Sequence, residues 1–208
     1  MRSFILKRDP AGWRVDEGSP KGGIFATVLS VDPLGDPHRG RSGVGLATAV
    51  GRLIVRSGLG TGVDGPVSWM PASRRGFEAA ADELELEAAR ARVELLLWPD
   101  AGHVISDAPS LLTFLRARES RGWRFVLDPV SMLTPTMLPR AEDHVRRAFE
   151  ALGTHPLAAC VVVADVAEEP SRPGSLVLAR ASETSRLGSL VDARRREVCP
   201  ALPVVLVE

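Results

Sequence analysis

The 208-residue sequence contains no tyrosine, and aromatic residues make up only 5% of it. Lysine occurs only at Lys7 and Lys21, so nearly all of the positive charge is arginine, which we attribute to codon-composition bias. Two cysteines, Cys160 and Cys199, lie far apart, one in an apolar run and one before Pro200. That spacing excludes a metal ribbon, a vicinal redox pair and a disulfide framework, and it fits a reducing compartment. Net charge is also missing: 26 basic residues balance 26 acidic ones. A global cationic field able to hold nucleic acid or an anionic membrane is therefore excluded. The longest apolar stretch, Leu157 to Ala164, is far too short to span a bilayer. Met1 to Lys7 sets only three apolar residues between charges and does not read as a signal peptide, so the expected location is cytoplasmic.

What is present is globular: 45% hydrophobic and 25% charged residues, with a regular beat from residue 78 onward. Phe77, Ala80, Ala81, Leu84 and Ala88 recur at helical spacing through Arg92, and Val93 to Trp98 reads as a short buried strand. Ser106-Asp107-Ala108-Pro109 has the chemistry of a helix start, with a capping oxygen and a proline where the missing N–H costs nothing. The alternation continues with a strand over 123–128, a helix over 136–152, a strand over 157–166, a helix over 185–198 and a strand over 203–208. Continuous apolar strands joined by helices predict right-handed parallel crossovers and an α/β fold. The first half is less regular. Strands are expected at 24–30 and 53–57, with a short helix over 44–52. Ser3 to Lys7 and Trp13 to Asp16 flank Asp9-Pro10-Ala11-Gly12, which is a β-hairpin pattern. Gly58 to Ala72 reads as a loop.

Two architectures suit this alternation, a doubly wound sheet and a (β/α)8 barrel. Three phrases decide between them: Val93-Glu94-Leu95-Leu96-Leu97-Trp98-Pro99 followed by Ser106-Asp107-Ala108-Pro109, then Phe125-Val126-Leu127-Asp128-Pro129-Val130-Ser131, and then Cys160 to Asp165 with Val204 to Glu208. In order and spacing over residues 24 to 208 they resemble the xylose isomerase-like TIM barrels. That superfamily includes sugar-phosphate isomerases and epimerases, inosose dehydratases and the endonuclease IV group. The resemblance implies a parallel (β/α) TIM-type barrel, here incomplete at about seven strands, with an N-terminal β-hairpin over residues 1–16. Residues 1–208 are expected to form one barrel-like domain. The first βα unit and the last helix of the family are absent from the pattern, so the hairpin or a partner subunit is expected to cover the gap.

The resemblance also implies chemistry. Family members hold a divalent metal at the C-terminal mouth with a Glu, an Asp, a His and a Glu from successive strands, and the metal polarises a sugar carbonyl or hydroxyl. Transferred position by position, Asp128 and Glu208 match; they are the candidate catalytic and metal-binding residues. Trp98 stands at the first Glu position, Ser131 at the His of the Asp-x-x-His phrase, and Val162 at the His of the following strand. Neither an indole nor an isopropyl group ligates a metal. Asp165, at a third strand end, joins Asp128 and Glu208 in a possible carboxylate-only site for Mg²⁺ or Mn²⁺, or else caps the next helix. Trp98 is either a stacking platform for a sugar ring or a plug for the mouth. Trp69 and His38 are further candidates for lining that mouth.

Other features read more plainly. His103, Ser106 and Asp107 lie too close in sequence to form a catalytic triad and read as a loop and a helix cap. Gly58-Leu59-Gly60-Thr61-Gly62 lacks the helix that phosphate-binding loops require. The arginine clusters Arg74-Arg75 and Arg194-Arg195-Arg196 read as solvated helix faces. The sequence therefore predicts a cytoplasmic barrel with a decayed metal site, no cofactor, and a binding or assembly role. Its expected partners are a small carbohydrate and either a second copy or another protein, not membrane or nucleic acid. The alternative is a Mg²⁺- or Mn²⁺-dependent sugar isomerase or epimerase with an altered site around Asp128 and Glu208.

Overall fold

The computed structural model describes residues 3–9, 12–17, 24–30, 51–58, 61–62, 65–66, 68–168, 176–182 and 185–207. In chain order the elements are β1 (Ser3–Asp9), β2 (Gly12–Glu17), β3 (Ile24–Ser30), β4 (Arg52–Arg56), the short β5 (Thr61–Gly62) and β6 (Gly65–Pro66), and then α1 (Pro71–Ala91) and β7 (Glu94–Trp98). They continue with α2 (Ala108–Ala117), β8 (Trp123–Leu127), a 3₁₀ turn (Pro135–Arg140) leading into α3 (Ala141–Leu152), β9 (Ala158–Val163), β10 (Asp165–Glu168), β11 (Leu176–Ala179), α4 (Arg186–Val198) and β12 (Val204–Val207).

Eight of these strands close a barrel in the order β1, β2, β3, β4, β7, β8, β9, β12 and back to β1. Seven run parallel to one another, and β2 alone is antiparallel to both of its neighbours. The fold is thus the α/β parallel barrel that the sequence predicts, with seven parallel strands. The N-terminal hairpin supplies the closure: β1 pairs with β12 from Ser3↔Val204 to Leu6↔Val207, and β2 pairs with β3. Closure removes the open sheet edges that would otherwise expose unpaired backbone groups. Only two residues separate β1 from β2, too few for a helix to cross the outer face between them. On it Leu206 is 41% exposed, opposite the half-buried Ile5.

The apolar runs make sense once both strand faces are buried. Leu53 and Val55, Leu95 and Leu97, Phe125 and Leu127, and Val161 and Val163 face the helices. Their alternate neighbours Ile54, Leu96, Val126, Cys160, Val162, Val205 and Val207 fill the barrel interior together with Val15 and Ala26. This alternation follows from the two-residue period of the pleat. The helices obey their own period: α1 buries Phe77, Ala80, Ala81, Leu84 and Ala88 on one face. α2 starts at a reciprocal capping box, in which Asp107 Oδ1 accepts from Ser110 N at 2.8 Å and Asp107 N donates to Ser110 Oγ at 3.2 Å.

At the N-terminal end of the strands the barrel floor is charged. Glu94 accepts from Arg52 Nε at 2.7 Å and from Arg124 Nη1 at 3.1 Å. Burial opposes its ionisation, but the two arginines outweigh that and hold the carboxyl below its usual range. Above this floor lies Cys160, whose thiol burial pushes up to about 12, so it acts as a small apolar filler.

Three sequence boundaries shift. The expected helix over 136–152 opens as a 3₁₀ turn before α3, because Pro135 and Pro139 limit regular backbone hydrogen bonding. The expected strand over 157–166 breaks at Ala164. Asp165 starts a separate antiparallel hairpin, β10 with β11, that the continuous apolar run hides. Part of the expected loop over 58–72 is the short β5–β6 pair, and α1 starts at Pro71. The expected helix over 44–52 falls mainly outside the described residues. No helix among the described residues is long and apolar enough to cross a membrane.

Candidate functional site

Parallel barrels present their C-terminal strand ends on one face, and sites form there. In this chain β4, β7 and β8 bring Arg56, Trp98 and Asp128 to that face, with Arg56 directly paired to Trp98 in the strand register. Each continues the inward-facing parity of its strand, after Ile54, Leu96 and Val126. Trp98 is only 2% exposed, and its Nε1 donates to Asp128 Oδ2 at 3.0 Å. Asp128 is wholly buried. Its Oδ2 also accepts from Ser131 Oγ at 2.5 Å, and its Oδ1 accepts from the backbone N–H groups of Val130 and Ser131, each at 3.1 Å. Four donors thus occupy the roughly four lone-pair positions of one carboxylate. Burial pushes the Asp128 carboxyl above its ordinary range, against the Ser131 and Trp98 donors, which favour the charged form.

Beside this core lies a second polar group that sequence reasoning did not assemble. Arg56 Nη2 donates to Asp100 Oδ2, and the Arg56 guanidinium sits 5.4 Å from the centre of the Trp98 ring. Asp100 Oδ1 accepts from Gly102 N at 3.1 Å and lies 4.0 Å from His103 Nε2. His103 Nδ1 accepts from Gly58 N at 3.0 Å, which places the imidazole proton on Nε2. Burial lowers the His103 pKa to about 4; Asp100 opposes this and Arg56 reinforces it. His103 is therefore neutral at physiological pH, tying the β4 turn to the loop after β7. Two signals for this group were legible: Arg56 ends an apolar strand on its inward parity, and Asp100 and His103 share one tight turn.

The remaining candidates separate. Ser131 and Trp98 join Asp128, as above. Asp165 lies elsewhere: its Oδ2 accepts from Ser185 Oγ at 2.5 Å and its Oδ1 from Val166 N at 2.8 Å. Ser185 in turn caps α4 by accepting from Gly188 N at 3.0 Å, so Asp165 orients a helix cap. Trp69 is 81% exposed just before α1. His38 and Glu208 lie outside the described residues. As a metal cradle, the described positions offer an indole donor at Trp98, an interior isopropyl group at Val162 and a carboxylate at Asp128 whose lone pairs are already taken. That set does not fit a divalent ion. Among the described residues no three His, Cys, Asp or Glu side chains come together as a potential metal group.

Barrel topology, helical layer and mouth geometry define a TIM-type α/β barrel. Comparison with solved structures finds the same barrel fold in proteins of low sequence identity. The chain is similar to a D-tagatose 3-epimerase-like protein (TM-score 0.55, 11% identity, 87% of this chain and 70% of that one). It is similar to the probable 3-DHS dehydratase AsbF of Bacillus anthracis (TM-score 0.52, 12% identity, 86% and 69%). It is also similar to a xylose isomerase domain protein from Planctomyces limnophilus (TM-score 0.50, 16% identity), covering 76% of this chain but only 52% of that protein. The chain thus spans about half the length of that last neighbour. No family model and no curated sequence matches it.

Proposed function

We propose that this chain is a xylose isomerase-like barrel whose metal site has decayed and whose role is binding or assembly in the cytoplasm, without catalysed isomerisation. One observation carries the reading: Asp128, which the sequence resemblance matches to a metal ligand of the family, is buried beneath Trp98 with four donors on its two oxygens. To bind a cation the carboxylate would have to exchange those bonds for a single coordination site, and the indole offers nothing in return. The ligand class we propose is a small carbohydrate, because a D-tagatose 3-epimerase-like protein shares this fold; the other partner is a second copy or a different subunit.

Elemental analysis of protein purified without added metal, together with melting curves in Mn²⁺ and Mg²⁺, tests the reading. The expected result is metal well below one ion per chain and a melting temperature that neither cation raises. A stoichiometric divalent ion, or a melting temperature that rises with Mn²⁺ and falls with chelator, overturns it in favour of a metal-dependent isomerase or epimerase.

A further inference from the structure

α3 and α4 both begin on the face where the parallel strands end, and Asp165, just beyond the end of β9, holds the α4 cap at Ser185. Between their first turns runs a cavity of about 450 Å³ whose apolar side is formed by Leu138, Pro139, Leu187 and Leu190 and whose other lining is largely charged. Its volume lies within the range of small-molecule sites, about 300 to 1,000 Å³. It is distinct from the Trp98–Asp128 core and shares no residue with it.

The charges around this cavity are unequally spent. Asp143 is engaged by Arg146 at 2.5 Å and Arg147 at 2.7 Å, which hold its carboxyl below the usual range. Arg146 also reaches Glu150 at 2.6 Å, so its guanidinium is committed. Arg140 has no hydrogen-bond or ion-pair partner among the described residues. Arg186, largely exposed, meets Glu142 only at 3.9 Å. Two guanidinium groups with free donors therefore stand beside the apolar side of this groove, against one weakly engaged carboxylate.

From this juxtaposition we infer that the α3–α4 groove binds a small amphipathic anion, a carboxylate or phosphate monoester carrying a short apolar chain. The chain lies along the leucines and Pro139. The head group takes charge-assisted hydrogen bonds from Arg140 and Arg186, whose planar donor forks suit either oxyanion. The inference does not depend on how the barrel mouth is read.

The test uses the full chain, labelled with ¹⁵N, titrated with octanoate, octyl phosphate and uncharged octyl glucoside, each below its micellar concentration. Octanoate or octyl phosphate, or both, should shift amide signals in 138–146 and 186–190, with a Kd of about 1 mM or tighter. Whichever head group binds identifies the oxyanion. Octyl glucoside should bind at least about tenfold more weakly, and the exposed double variant Arg140→Glu/Arg186→Glu should weaken the anions by a similar factor. Glu142→Gln, which removes the opposing charge without touching the core, should tighten anion binding about threefold. Unchanged signals outside the groove confirm that the variants are folded. Equal binding of octyl glucoside, undiminished binding by the double variant, or no shift with either anion overturns the inference.

Discussion

Replacing Asp128 by Asn separates a structural carboxylate from a metal ligand. In the wild type Asp128 accepts from Trp98 Nε1, Ser131 Oγ and two backbone N–H groups, and it is wholly buried. The amide keeps one oxygen, which can stay on the Val130 and Ser131 N–H groups. Its NH₂ then faces Trp98 and Ser131. The serine hydroxyl can rotate and accept, but the indole N–H cannot, and it becomes a buried donor aimed at a donor. Losing one charge-assisted bond and stranding one donor costs about 2–3 kcal/mol. For a chain of this length that lowers the melting temperature by about 4–12 °C. Trp98→Phe alone, which loses the donor and some volume, should cost about 1–2 kcal/mol. In the double variant the clashing N–H is gone, so the two costs should fall short of their sum by about 1–2 kcal/mol. Urea unfolding of the four proteins in chelator measures the cycle. A cost for Asp128→Asn below about 0.5 kcal/mol, or strict additivity with Trp98→Phe, would refute the reasoning. So would a loss of stability seen only in Mn²⁺.

Two further outcomes follow from other buried polar groups. His103, lowered to about 4 from 6.5, binds its proton more readily in the unfolded chain. Its contribution is therefore complete above pH 6.5 and is lost as pH falls through about 4, amounting to about 3 kcal/mol at most. Asn at this position keeps an acceptor for Gly58 N–H but cannot titrate, so His103→Asn should flatten the stability profile between pH 6.5 and 4. Equal slopes for the two proteins would remove His103 from the account. Glu85 accepts from Arg118 Nε at 3.0 Å, Arg121 Nη1 at 2.8 Å and Trp123 Nε1 at 2.6 Å, and Arg118 is itself buried. Glu85→Ala should cost about 3–5 kcal/mol in urea unfolding, because it leaves a buried guanidinium and an indole short of their acceptor. A loss under about 1 kcal/mol would mean that Asp82 and the Glu78 carbonyl satisfy Arg118 without Glu85.

The sequence by itself determined the elements and their class. Phe77 to Ala88 at helical spacing, the Asp107 cap and four apolar strands separated by helices are local patterns, and each is satisfied within a few residues of where it is written. The Ser3–Asp16 hairpin was legible for the same reason, and parallel order follows from short crossovers. The tertiary structure decided how the barrel closes, since β1 meets β12 across almost the whole chain and no local pattern encodes that pairing. It also decided which strand-end groups meet. Asp128 and Asp165 look alike in sequence, each an acid at the end of an apolar strand. One follows the inward parity of Val126 and lies under Trp98; the other, one residue past the inward Ala164, reaches the cap of α4. Arg56, at the end of β4, lies more than forty residues from Asp100 and His103 in the loop after β7, and the pairing of β4 with β7 brings them together. A strand's own residues fix its periodicity, but register with its neighbours selects which side chains share a layer, and that selection is set by packing the whole barrel at once.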